Sequence, residues 1–83
     1  MNKEKITATI SEVLVEQLGV RLAEVVPTAR VSSDLGADSL DRIEIIMALE
    51  EEFNVRLDDA RVPSDPTVTE LVELVASVLG VAE

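Results

Sequence analysis

Between Leu40 and Phe53 the chain runs fourteen residues without a glycine or a proline, and its apolar residues fall on two stripes rather than one. At about 100° per residue, Ile45, Ile46, Leu49 and Phe53 share one side of a helix, and Leu40, Ile43 and Met47 share another, roughly 140° away. A chain of 83 residues buries only about 60% of the surface it exposes when unfolded. It cannot easily cover both stripes. The competing reading, a helix buried nearly all round, conflicts with Asp41, Glu44, Glu50, Glu51 and Glu52 on the same segment, because unpaired buried carboxylates are expensive. One stripe is therefore assigned to the core and the other to an exposed strip fringed by acids.

The rest of the sequence fits around this helix. Ile6, Ile10, Val13, Leu14 and Leu18 keep a 3.6-residue period across residues 3–18, with Asn2 as N-cap and Gly19 as the stop. Residues 20–37 form a long connection holding Pro27, with Val25, Val26, Val31 and Leu35 as candidate pins to the core. Asp38 is an N-cap, and Asp41 three residues on completes a capping-box pattern. Asp58–Val62 has room for one short helical turn before Pro63 restricts the backbone. Thr67 to Glu70 is a second capping box, followed by the stripe Val68, Leu71, Val72, Val75 and Leu79, and then Gly80. No alternating strand pattern competes. The expected fold is all-α: a small four-helix bundle with three longer helices and a short third one, a long loop between helices one and two, and residues 1–83 as one domain.

Composition narrows function by exclusion. The chain has no cysteine and no histidine, which removes disulfides, thiolate metal sites and His-based acid–base chemistry. No GxSxG occurs around Ser39, and a serine hydroxyl without a base is a poor nucleophile. No catalytic residue and no metal site are assigned: the spacing of Asp34, Asp38 and Asp41 does not follow a calcium loop. The net charge of −10 disfavours nucleic acid and anionic membranes and favours partners with basic patches. Nine of the acids lie between Asp34 and Asp59, against Arg42 and Arg56 alone. No apolar run reaches the ~20 residues of a membrane span. Neither a signal peptide nor a membrane partner is expected, and the absence of cysteine suits a reducing cytoplasm.

Ser39 occupies the first turn of the two-stripe helix. Free N–H groups there favour a phosphate, so the position suits a serine modified by another enzyme. On spacing alone, a polar first-turn residue or a second cap is the simpler reading.

The stretch DLGADSLDRIEIIMALEEEFNVRLDD, Asp34 to Asp59, closely resembles the acyl carrier proteins of bacterial-type fatty acid synthesis. EQLGV at 16–20 and TVTELVELV at 67–75 resemble the same family. The resemblance spans essentially the whole chain, and LGADSL followed by an acidic helix is a specific motif. It implies that Ser39, within the motif residues Gly36, Asp38, Ser39 and Leu40, receives 4′-phosphopantetheine from coenzyme A. A holo-acyl-carrier-protein synthase or related phosphopantetheinyl transferase would install it, with Asp38 helping that enzyme and its metal engage. It implies a non-catalytic monomer that carries acyl chains as thioesters to fatty acid synthesis enzymes and acyltransferases, and docks through Leu40, Asp41, Ile43, Glu44, Met47 and Glu51. Family members shelter the chain among their helices, which the aliphatic core would permit. Two features depart from the family pattern. Arg42, near the core side of its helix, must snorkel outward or pair with a local acid. Arg61 to Pro66 is proline-rich where a short acidic helix is usual. Both leave room for a specialised carrier in a modified-lipid or polyketide pathway. An unmodified helical adaptor is the remaining alternative.

Overall fold

A computed structural model describes residues 2–81. Three α-helices make up the described residues, together with two single 3₁₀ turns and no strand. Helix α1 runs Lys3–Leu18, α2 runs Ser39–Phe53 and α3 runs Val68–Leu79. The 3₁₀ turns are Leu22–Glu24 and Asp59–Arg61.

Each helix starts where a side chain satisfies an otherwise orphaned N–H. Asn2 accepts from the Lys5 amide at 2.9 Å. Asp38 and Asp41 exchange side-chain and backbone bonds at 2.8 and 3.1 Å. Thr67 and Glu70 do the same at the head of α3. Helices α1 and α3 stop at left-handed glycines, Gly19 and Gly80, whereas α2 stops at Asn54 with φ +54. Asparagine tolerates that conformation better than other side chains with a Cβ.

The core forms where α1 packs against both other helices. Ile6, Ile10, Val13 and Leu14 of α1 meet Ile45, Ile46, Leu49 and Phe53 of α2 and Val68, Leu71, Val72, Val75 and Ala76 of α3. The core stripe expected for α2 is therefore the buried one. In α3 the stripe is shifted slightly: Ala76 is buried and Leu79 only half-buried.

The short third helix expected before Pro63 is one 3₁₀ turn, so the described residues hold three α-helices rather than four. Pro63 lacks an N–H and clashes with a helical residue before it, and Pro66 repeats the restriction. Between α1 and α2, Val31 and Leu35 are buried as expected and Val25 is half-buried. Val26 is 44% exposed and does not pin the chain. Ala29 and Ala37 do so instead, and their small side chains carried no periodic signal.

Candidate functional site

The chain approaching α2 is set by backbone hydrogen bonds within the residue 30–37 segment. Asp34 and Leu35 amides donate to the Arg30 carbonyl, Gly36 to Ser32 and Ala37 to Val31, all within 2.9–3.1 Å. Gly36 sits at φ +82, a conformation that any residue with a Cβ adopts at a penalty. Leu35 and Ala37 turn inward while Gly36 and Asp38 stay outside. This alternation delivers Ser39 to the surface as the first residue of α2.

Ser39 is exposed. Its hydroxyl makes no hydrogen bond with the described residues, and neither do the N–H groups of Ser39 and Leu40. The capping box consumes the amides of Asp38 and Asp41 and leaves these two free. Asp38 uses only Oδ1 in the box. An unengaged hydroxyl beside two unpaired amides of an α-helix suits an attached phosphodiester.

The second stripe of α2 lies in the open. Leu40 is 63% exposed, Ile43 50% and Met47 61%. Glu44 and Glu51 are exposed alongside and line a wide, shallow groove with Met47, Ala48, Glu50 and Gln17 of α1. Asp41 is half-buried and occupied by its cap, so its placement differs from that of the other expected docking residues. A narrower groove of about 330 Å³ runs along α2, between Ile43, Ile46, Met47 and Glu50 on one side and Leu57 and Asp59 on the other.

Three polar anchors around the site have partners that the sequence periodicity did not show. Glu50 Oε2 accepts from the Leu57 amide at 2.8 Å and fixes the chain returning from α2. Arg42 pairs with an acid, Asp59, the second of the two expectations, and also binds two backbone carbonyls. Its Nη2 donates to the Val62 carbonyl at 2.7 Å, Nε and Nη2 both reach the Pro63 carbonyl at 3.3 Å, and Nη1 lies 3.4 Å from Asp59 Oδ1. Asp65 straps the connection ahead of Ser39: Oδ1 accepts from the Ser32 amide at 2.8 Å and the Ser33 amide at 3.2 Å, and Oδ2 accepts from the Ser33 hydroxyl. Arg30 closes the strap by donating to the Asp65 carbonyl at 2.9 Å.

The Ser33 hydroxyl holds Asp65 below its ordinary carboxylate value. The two backbone amides and the Arg30 charge add to this, and burial opposes it. A carboxyl that binds its proton less readily when folded stabilises the fold above its unfolded value near 3.8. It loses that contribution as pH falls through the lower folded value. Asp65→Asn is therefore expected to melt below the wild type at neutral pH, and the gap is expected to close as the pH drops under about 3.8. Paired melting curves across that range check this. A gap of constant size would show that the charge on Asp65 contributes nothing.

The family model for the phosphopantetheine attachment site (PP-binding) matches residues 8–75. An acyl carrier protein of Cyanidioschyzon merolae is 36% identical over 75 residues, covering 90% of this chain and 82% of the relative. One from Cyanidium caldarium is 39% identical over 75 residues, covering 90% of this chain and 87% of the relative. The chain belongs to the acyl carrier protein family. Its prosthetic group is a covalently attached 4′-phosphopantetheine, and its role is that of a carrier rather than a catalyst. No helix of the carrier is long and apolar enough to cross a membrane among the described residues.

Proposed function

We propose that this single-domain carrier bears its arm on Ser39 and delivers acyl thioesters to the enzymes of fatty acid biosynthesis. The observation behind the assignment is an exposed serine hydroxyl without a partner, on the first turn of an α-helix whose neighbouring strip is apolar and open. When bound, 4′-phosphopantetheine supplies a terminal thiol that holds the acyl group as a thioester and activates its carbonyl. The chain's own residues do the remaining work. The free Ser39 and Leu40 amides favour the phosphodiester. Asp38 Oδ2, unused by the capping box, is available to the metal of a phosphopantetheinyl transferase that brings coenzyme A. Gly36 gives the approach its turn. Leu40, Ile43 and Met47 supply contact area, Glu44 and Glu51 steer basic patches of the partner enzymes, and Asp41 contributes chiefly by holding the helix start. The carrier acts as a cytoplasmic monomer in this reading.

A modified-lipid or polyketide pathway is the second reading. It is supported by the Arg42 contacts and by the single turn where a short helix was expected.

Incubation with coenzyme A and a holo-acyl-carrier-protein synthase is expected to raise the intact mass by one phosphopantetheine arm. Ser39→Ala is expected to abolish the gain completely. A gain that persists in Ser39→Ala would place the arm elsewhere. No gain in the wild type would leave the unmodified adaptor as the better reading.

A further inference from the structure

Arg42 stands in an unusual place for a cation. On the α2 wheel it lies within about 10° of the mean direction of Ile45, Ile46, Leu49 and Phe53. It is thus on the core-facing stripe, one turn beyond Ser39. Its side chain is only 23% exposed. It closes a gap that prolines create: with no α-helix across residues 62–66, the Val62 and Pro63 carbonyls lack intrahelical donors, and the guanidinium supplies them. Asp59 completes the clasp from the 3₁₀ turn. The side chain of Val62, whose carbonyl is gripped, is itself part of the core.

The clasp lies across the Ser39 end of the seam between α2 and the residue 59–63 segment. An alkyl chain passing inward there would have to strip charge-assisted hydrogen bonds from two carbonyls and leave a guanidinium against hydrocarbon. The groove along the outer side of α2 is already open, with Glu50, tied to the Leu57 amide, and Asp59 as its polar walls. Ile43, Ile46 and Glu50 lie within about 40° of Ser39 around the helix. They border the groove closed on its far side by Leu57 and Asp59.

We propose that Arg42 is a cargo-specificity residue. It shuts the aliphatic core to a chain tethered at Ser39, so that the alkyl part of the thioester lies in the outer groove formed by Ile43, Ile46, Met47 and Leu57. The bundle interior is available only when the clasp is removed. This rests on the attachment of the arm to Ser39.

The test uses the full carrier loaded with butanoyl- or decanoyl-phosphopantetheine, with loading read by intact mass. In the wild type, the methyl resonances of Leu49, Val62 and Val75 are expected to be the same for both cargoes, while those of Ile43 and Met47 shift. In Arg42→Met, which keeps an apolar stem and loses every donor, decanoyl is expected to shift Leu49 and Val62. Its thioester is also expected to react several-fold more slowly with hydroxylamine than in the wild type. Before any loading, amide exchange at Val62 is expected to be about tenfold faster in the variant. Methyls of Leu49, Val62 or Val75, core residues that do not line the groove, moving with decanoyl in the wild type would overturn the proposal, and this comparison stands even if Arg42→Met does not fold. A folded Arg42→Met variant that behaves like the wild type would overturn it too. Failure to load at all would instead sink the attachment reading, and the mass spectrum separates the two cases.

Discussion

Replacing Leu49 by alanine is expected to remove about 3 kcal/mol of stability, close to the middle of the range for buried leucines. Leu49 has no exposed surface and sits at the centre of the α2 core stripe. The loss has two parts: the transfer of the missing methyls, and the cavity left where neighbours cannot collapse. Both apply in full here. Adjacent core residues are held by three capped helices, and Phe53, the only aromatic, is already packed. For a domain of this size total stability is of order 4–12 kcal/mol, so a large fraction would go. A denaturant titration followed by circular dichroism should show the midpoint falling steeply at unchanged slope. Met47→Ala on the same helix is the control. At 61% exposure it should change stability by no more than about 0.5 kcal/mol. Equal losses for the two variants would mean that the stripes had been assigned to the wrong sides.

Reversing both Glu44 and Glu51 to lysine is expected to lower kcat/KM for arm transfer about tenfold to a hundredfold at low salt. The two carboxylates lie roughly 20° apart on the helix wheel and one and a half to two turns along the axis. They flank Met47 in the groove shared with Gln17. Exposed charges of this kind act mainly on encounter with a basic partner, and salt screens them over about 10 Å at 0.1 M. The wild-type rate should therefore fall as salt rises, and the reversed variant should show a weaker or inverted dependence. Melting should be barely altered, because neither residue makes a hydrogen bond or ion pair within the described fold. A rate unchanged by the double reversal would remove these acids from the docking surface.

The helices were legible because their signals are local. Asp38 with Asp41 and Thr67 with Glu70 cap their helices within three residues, and Gly19 and Gly80 end theirs by backbone conformation alone. The two stripes of α2 follow from a fixed 3.6-residue period, so Leu49 inside and Met47 outside could both be placed from spacing. The exposure of Ser39 follows from the same local logic, since the first turn of a capped helix lies at its edge. The 3₁₀ turn at Asp59–Arg61 was half legible: the prolines marked where helix must stop, but not how the freed carbonyls would be satisfied.

The sequence alone thus determined where the three α-helices begin and end and, but for the Ala76 and Leu79 end of α3, which side of each is buried, because these depend on neighbours within one or two turns. Only the tertiary structure decided the partners of Arg42, Glu50 and Asp65. Each meets a backbone or side-chain group 7 to 33 residues away. Which groups those are depends on the path of segments without periodicity, and that path is fixed by packing against the assembled bundle. A guanidinium on the core stripe is unexplained on a helical wheel, and it becomes a clasp once the proline segment lies across it.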